Sequence, residues 1–346
     1  MGGLYEFIIK DKAGNALSSL TGARRRSFAT YLNKPGEAHF TISARDNLIT
    51  GGMLLLGYNE LYIYRAGVLV WGGELVYSRL DLSNDMEQVE VTAKGFLDLL
   101  SKRIVGTAAS PRIFTNTDLV TIAQTIITES QALTNGDFGI TMGTTPVSRN
   151  GDRTYSYKPL REALDELSNN NIQDGIDFEV TADKKFNSYY PAKGQQLPGV
   201  VFEYGVNIES FWQTLDATQM VNEVIVLGSG EGSSMVTRTR DTSAYLQSTY
   251  KLRQSVLSYK DVVEEDTLDD HGDKELAQKS AQQQIIGLKT KGNLQPTLGS
   301  YAVGDSPRVI VKYGFTAIDD FFRLYGIETA ISDEDDEDIN LLFSNI

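Results

Sequence analysis

The chain contains no cysteine and only two histidines among its 346 residues. The first absence excludes disulfides, thiolate zinc sites and cysteine nucleophiles, and it fits a reducing compartment. The second leaves His39, on a strand-like pattern, and His271, in an acidic stretch. No His-x-x-x-His pair can be built from them, so a catalytic zinc site is not expected. A Ser-His-Asp triad would have to use one of these two, with no nucleophile-elbow sequence beside it. Both read as half-exposed surface residues. No run approaches the roughly 20 apolar residues of a membrane span. The opening MGGLYEFIIK lacks the apolar core of a signal peptide. Direct membrane insertion is therefore not expected. Basic stripes are missing too. Arg24-Arg25-Arg26 reads as a solvated turn, whereas a groove that grips nucleic acid needs many Lys and Arg against phosphates.

What the chain does have is acid. Net charge is −14, from 46 Asp and Glu against 32 Lys and Arg. The excess is uneven: residues 1–103 hold 12 basic and 11 acidic side chains, so the remainder carries −15. One reading is solubility. The other is a surface that must not hold nucleic acid or anionic lipid. Hydrophobic content of 41 % and 17 tyrosines supply several cores and suit sheets and interfaces. A chain of this length is expected to form about two to four compact units.

The most informative stretch is GVLVWGGELVYSRLDLSNDMEQVEVTAKGFLDLLSKR, ending at Arg103. Alternation predicts strands with Val76, Leu80 and Leu82 on one face and Arg79 and Asp81 on the other, then Val89, Val91 and Ala93 inward. A polar turn at Ser83-Asn84-Asp85 joins them. Phe96, Leu97 and Leu100 fall at helical spacing and would close one end of a sheet. Upstream, strands are predicted over Tyr5–Lys10, over Ala38–Ile42 after the Pro35-Gly36 turn, at Leu54–Leu56 and at Leu61–Tyr64. Together they suggest a small antiparallel barrel over 1–103. The end of the chain looks like a looser copy. Gly304-Asp305-Ser306-Pro307 leads into Val309-Ile310-Val311, a turn at Lys312-Tyr313-Gly314, and two strands around Asp333–Asp338. Duplication and a chance likeness of two antiparallel sheets both account for this.

Between the copies the pattern is α+β. Thr117 is placed to cap a helix with Leu119, Val120, Ala123 and Ile127 inward. Phe138 and Ile140 suggest a strand, and Val147–Asp152 a polar loop. Pro159 opens a helix with Leu160, Ala163, Leu164 and Leu167 on one stripe, ended by Asn169-Asn170-Asn171. Asp177–Val180 and Ser188–Tyr190 read as strands. Val201–Tyr204 and Glu223–Leu227 restore β character, and a helix is predicted from the Asp266–Asp273 segment through Leu276, Ala277, Ser280 and Ile285.

The search for chemistry is mostly negative. Gly228–Gly232 follows a strand, but the next residues do not open a helix and no Walker lysine follows, so a hairpin turn is expected rather than a phosphate loop. The run Asp333-Glu334-Asp335-Asp336-Glu337-Asp338 lacks the spacing and glycine of an EF loop. Solvated carboxylates and an ion site are both open there. Paired carboxylates for glycoside cleavage stay open as well, since no pair stands out. No cofactor and no enzymatic activity are expected.

Gly95-Phe96-Leu97-Asp98-Leu99-Leu100 with Arg103, Leu119–Ile127, Leu160–Leu167 with Phe178-Glu179-Val180, Met220–Gly228, and Leu298–Tyr301 with Gly304-Asp305 occur in an order that resembles tail-tip and baseplate hub proteins of long-tailed bacteriophages. These are similar to the central hub of contractile tails and to type VI secretion spike hubs. The resemblance implies a mainly β chain with two similar antiparallel β-barrels: 1–103, and 201–232 with 292–346. An α+β insertion would occupy 104–200 and a helical, acidic insertion 233–291. It implies a virion structural protein, assembled in the host bacterial cytoplasm, forming a homotrimeric ring that joins the tail tube to the tip and other tail-tip proteins. DNA would pass through the channel without a specific site, past lumen-facing acids such as Glu203, Glu209, Asp216 and Glu223. No terminal peptidase, lysozyme or fibre region is seen. A carbohydrate- or receptor-binding β module and a tail-associated wall hydrolase are the alternative readings.

Overall fold

In a computed structural model the described residues are 4–46, 52–83, 87–169, 174–242, 249–260 and 262–344. The turn at Asn84-Asp85 and the helix stop at Asn170-Asn171 lie outside them. The first part of the chain forms β1 (Tyr5–Lys10), β2 (Ala16–Ser19), β3 (Arg24–Tyr31), β4 (Glu37–Ser43), β5 (Glu60–Arg65), β6 (Val68–Leu82) and β7 (Glu87–Gly95). A 3-10 helix over Phe96–Lys102 follows, burying Phe96, Leu97, Leu99 and Leu100. The middle holds β8 (Ile104–Val105), β9 (Arg112–Asp118), α1 (Leu119–Gln131), β10 (Thr141–Met142), β11 (Asn150–Tyr155), β12 (Lys158–Pro159), α2 (Leu160–Asp165), β13 (Asp177–Val180) and β14 (Lys185–Tyr189). Then come β15 (Gln196–Glu203), β16 (Ser210–Asp216), β17 (Glu223–Leu227), β18 (Thr237–Asp241), β19 (Gln254–Ser258) and α3 (Glu265–Lys279). The chain finishes with β20 (Gln283–Lys291), β21 (Ser306–Tyr313), β22 (Thr316–Phe321), β23 (Arg323–Ile331) and β24 (Glu337–Ser344).

Contacts divide the chain into two compact units. One comprises Met1–Asn169, Asp174–Phe211 and Gly287–Phe343; the other is chiefly Trp212–Ile286. The divisions fall inside β16 and β20, which carry the chain out of the first unit and back.

The architecture is mainly β, as expected. Its largest sheet has 11 strands in the order β16-β20-β24-β23-β3-β4-β7-β6-β5-β1-β2. Among the described residues no sheet closes into a barrel, so the pairing departs from the two-barrel form of the expectation. The reason lies at β3. One edge of β3 pairs with β4, and the other with β23, from Gly326 opposite Tyr31 to Ile331 opposite Arg26. The edge that would close the first barrel is thus occupied by the last part of the chain. The core beneath combines Tyr5, Phe7, Phe28, Phe40, Leu61, Trp71 and Leu75 with Ile331.

A repeat in strand order does exist, and it is longer than the sequence pattern suggested. In the first part the spatial order is β3-β4-β7-β6-β5-β1. In the last part it is β16-β20-β24-β23, while β22-β21-β15 continues in a three-stranded sheet. The long β6 corresponds to β22 plus β23, interrupted at Phe322. Its first half pairs with β5, from Arg65 opposite Val68 to Glu60 opposite Glu74. In the same way β22 pairs with β21, from Tyr313 opposite Thr316 to Arg308 opposite Phe321. The copies differ at their far ends: β1 meets β5 antiparallel, whereas β15 meets β21 parallel.

Several local expectations are corrected. Leu54–Leu56 is not a strand, and neither is Phe138–Ile140, which precedes β10. The predicted loop at Val147–Asp152 contains the start of β11, a polar strand paired only with β9. Leu80 and Leu82 are exposed rather than inward, because a bulge between Leu75 and Tyr77 shifts the register of β6 against β7. Asp118, not Thr117, caps α1, accepting a hydrogen bond from the Thr121 amide. Leu119, Val120, Ala123 and Ile127 are buried on α1, as are Leu160, Ala163, Leu164 and Leu167 at α2. Ile285 lies in β20, beyond the end of α3.

In the second unit β17 is the central strand of β18-β17-β19. Glu223–Leu227, expected in the second barrel, therefore pairs within the insertion. Val224 and Val226 pack with Leu268 and Leu276 of α3. Glu265, Asp269 and Asp273 recur at i, i+4 on α3 and meet Arg238 and Arg240, which share one face of β18. Gly272 lies opposite this ladder; a Cβ there would stand 2.6 Å from Arg240 Cγ.

The β3–β23 seam buries Ile331 against the Phe28 region. Ile331→Ala should cost about 2–5 kcal/mol through the cavity left behind. Urea unfolding tests this: a loss no larger than that of the exposed Val206→Ala would show that the seam is not part of the core.

Candidate functional site

The acidic run 333–338 is a set of clasps more than a solvated turn. Asp335 accepts from the Leu4 amide at 2.6 Å and pairs with Arg26 at 2.8 Å. Arg26 also donates to the Ser332 carbonyl. The basic triplet is thus the start of β3 and not a free loop. Glu337 is buried and accepts from the Tyr5 hydroxyl and from the Arg65 guanidinium. Burial, and then this hydrogen bond, push the Tyr5 phenol well above its ordinary range, so it stays a donor. Asp338 takes Lys291 and Lys289, whose hydrogen bonds hold its carboxyl below the usual carboxylate range. Three acids of one short segment therefore reach the N-terminal strands and β20.

A second cluster was not visible in the sequence. Asp177, fully buried, accepts from Asn33 Nδ2 at 2.8 Å, from the Lys193 amide at 2.7 Å and from Arg323. Asn33 Oδ1 accepts in turn from the Phe178 amide at 2.8 Å. The loop after β3, β13 and β23 are joined by this one carboxylate. Its partners stand 144 and 146 residues away, so no local pattern could mark them.

The four acids expected at a lumen each have their own surroundings. Glu203 is exposed at the end of β15, where its charge acts on Arg308. Glu209 faces Lys289 and Lys291 at 3.9 and 3.7 Å. Asp216 accepts from the Thr218 hydroxyl and amide, which hold its carboxyl low. Glu223 accepts from Gln254. The first two belong to one unit and the last two to the other.

His39 Nδ1 lies 3.0 Å from the Thr92 hydroxyl, and His271 stacks on Tyr259 at 3.9 Å. Both are half-buried. Gly228–Gly232 lies in the β17–β18 hairpin loop, closed by the Gly228 amide on the Val236 carbonyl. Among the described residues no group of three or more His, Asp or Glu is placed to hold a metal. Nor is any helix there long and apolar enough to cross a membrane. A cleft of about 540 Å³ between Lys34-Pro35-Gly36, Val68–Gly72 and Glu179–Asp183 has a mainly apolar lining.

What the surface offers instead is unpaired strand edge. β16 ends the large sheet. Among the described residues Tyr77–Leu82 of β6 pairs only with β7, since the facing β5 ends opposite Glu74. Both segments carry exposed large apolar side chains.

No protein-family model matches the chain, and no curated protein sequence matches it. Solved structures do. The fold is shared with phage tail proteins. The 43 kDa tail protein of prophage MuSo2 from Shewanella oneidensis aligns at TM-score 0.72 and 13 % identity, over 98 % of this chain and 98 % of that one. A tail protein from Neisseria meningitidis MC58 aligns at TM-score 0.69 and 14 % identity, over 99 % and 96 %. An Escherichia coli component of the type VI secretion system, itself described as similar to T4 tail proteins gp27 and gp5, aligns at TM-score 0.52 and 10 % identity, over 93 % and 73 %. At these identities the likeness is one of fold.

Two outcomes follow from the clasps. Glu337→Ala strands the Arg65 charge and should cost about 3–5 kcal/mol. A double-mutant cycle with Arg65→Ala should recover much of that as coupling, and strict additivity would show the pair to be uncoupled. In the second unit, the Arg238 hydrogen bond holds Asp269 below its ordinary 3.8. The folded pKa is depressed, so this contribution is complete above 3.8 and is lost as pH falls through the lower folded value. Asp269→Asn should flatten the acid limb of the melting profile below about pH 4, and an unchanged limb would assign acid loss elsewhere.

Proposed function

We propose that the chain is a structural subunit of a phage-type tail tip or baseplate hub. On this reading it forms a ring of three that joins the tail tube to the distal tip and surrounds the path of the DNA. The observation that carries the proposal is the end-to-end alignment with the Shewanella and Neisseria tail proteins, which covers nearly the whole of each chain. The repeated strand order supports the ring. A chain with two similarly ordered halves presents six similar elements when three copies associate, which suits a sixfold tube. The division at 1–103 and 104–200 is retained as the working plan, with the second half taken as β15, β16 and β20 to β24. Each half acts in the ring as one barrel-like wall, completed by its neighbour instead of closing on itself. The protein then resides in the virion, is assembled in the host cytoplasm, and meets tail-tube and other tip proteins.

The acids have a role in this reading. Duplex DNA carries about one charge per 1.7 Å, so a basic wall would hold it through many phosphates. An acidic wall repels it over roughly 8 Å at physiological salt. Glu203, Glu209, Asp216 and Glu223 are the candidates to face the channel. Of these Glu203 is the freest in its surroundings, because Glu209 already faces two lysines.

Native mass measurement on the purified chain should give three copies, and antibody labelling should mark the distal end of the tail. A chain absent from purified virions would remove the proposal. Glu203→Lys should slow DNA ejection in low salt and not in high salt; equal rates at both salts would exclude the channel role for this residue.

A further inference from the structure

The basic triplet that opens β3 is divided in its use. Arg26 belongs to the clasp, where it meets Asp335 and the Ser332 carbonyl. Arg24 and Arg25 are exposed, and neither side chain has an ion pair or hydrogen bond among the described residues. Both line an open concavity of about 910 Å³ at the end of the first sheet, together with Ser43, Arg45 and Gln88. Arg45 is positioned there by Glu87, to which its guanidinium donates at 2.6 Å. Ser43 Oγ accepts from the Arg45 amide at 3.2 Å, which leaves its hydroxyl proton to donate outward. The lining thus sets three arginines against two acids, Asp46 and Glu87, in a chain whose net charge is −14. We propose that this concavity docks an acidic segment of a partner protein, with Arg24 and Arg25 taking its carboxylates. The inference goes beyond the hub reading and stands whether or not the chain forms a ring.

The backbone at Arg25 supports this reading independently of charge. Its φ is +47°, in the left-handed region that suits glycine and strains a residue with a long side chain. The cause is a bulge. Arg24 lies opposite Thr41 and Ser27 opposite His39, so Arg25 and Arg26 together face the single residue Phe40. A cation kept only for solubility could stand at an unstrained position, so an arginine here points to a use for its head. A guanidinium presents its N–H donors in one plane and matches a carboxylate bidentately. Nucleic acid is the poorer fit. Its phosphates follow one another without a break, and binding needs many cations along that run. Asp46 and Glu87 stand among the arginines and oppose a continuous line of phosphates. A peptide places its carboxylates singly, with amides and neutral side chains between them.

The test uses the full chain and a labelled peptide of alternating Glu and Ser, titrated at low salt and read by fluorescence anisotropy. Net charge alone gives repulsion between this peptide and a chain of −14, so binding reports a local basic surface. Arg25→Gly separates the two properties of that residue, because it removes the guanidinium and relaxes the left-handed backbone. It should weaken the peptide about tenfold, as expected for one charge-assisted hydrogen bond, while the melting temperature stays level or rises. Arg24→Gln should weaken it by a similar factor. Lys312→Gln, at an exposed lysine of β21 outside the concavity, should leave binding unchanged. A duplex oligonucleotide should bind more weakly than the peptide. The proposal is overturned by an absence of binding at millimolar peptide, or by a double variant Arg24→Gln, Arg25→Gly that binds as well as the wild type. It is also overturned if the oligonucleotide binds more tightly than the peptide through the same two arginines, which would make the surface a nucleic-acid site. None of these results touches the hub reading, which copy number and place in the virion decide.

Discussion

The pairing of β23 with β3 is the constraint on which the rest of the larger unit depends. It brings together segments about three hundred residues apart, as in the Leu4–Asp335 hydrogen bond, separated by 331 positions. Ordering so long a loop carries an entropy cost that only a well-filled junction offsets. The filling is visible in three layers. The strands supply main-chain pairs, Phe28 and Ile331 supply apolar contact, and Glu337 with Arg65 and Tyr5 supplies a buried charge set at the margin. Asp177 performs the same task deeper in, where Asn33 and Arg323 converge on it. Buried ion pairs of this kind are weak contributors to net stability but costly to break, so they act as register pins.

This use of acids changes how the charge of the chain is understood. The excess of −15 after residue 103 suggests a single repelling surface when read along the sequence. In space, many of those carboxylates have assigned partners. Asp335, Glu337 and Asp338 hold the end of the chain to its beginning and to β20. Glu265, Asp269 and Asp273 hold α3 to β18. A paired carboxylate presents a weaker field to solvent than a free one, because the cation beside it cancels most of its charge at distances larger than the separation of the pair. On the channel reading proposed above, a wall would draw on the exposed remainder, of which Glu203 is one.

Legibility in the sequence followed the range of the interactions. Strands β13 and β17 are found over the residues where alternation put them, and the buried faces of α1 and α2 are those of the apolar stripe. These depend on neighbours within a few positions. The hairpin at Gly228–Gly232 was legible for the same reason. Strand β11 was missed because its polar residues Asn150–Tyr155 sit in a two-stranded ribbon with little burial to write a pattern. Alternation alone points Leu80 and Leu82 inward, because a bulge does not show in an alternation; it moves the register by one without changing composition. Barrel closure failed for a non-local reason, since whether β3 closes on its own half or accepts β23 is decided by a partner near the other end of the chain. Asp177 was invisible on the same ground.

The open edge is a consequence of unequal strand lengths. β6 has 15 residues, and β5, which lies along one of its edges, has 6. The partner on the other edge, β7, has 9 and covers mainly the second half. A long strand served by two shorter ones at different heights must leave part of an edge unpaired. In the second half of the chain the same offset arises, with β21 along β22 and β24 along β23, and there β3 fills the vacancy. The offset thus produces a donor of edge and an acceptor of edge in each half, at opposite sides. One of the two junctions so created is made within the chain; the two strands of the other have six strands between them in the described sheet, and each keeps an edge without a strand partner among the described residues.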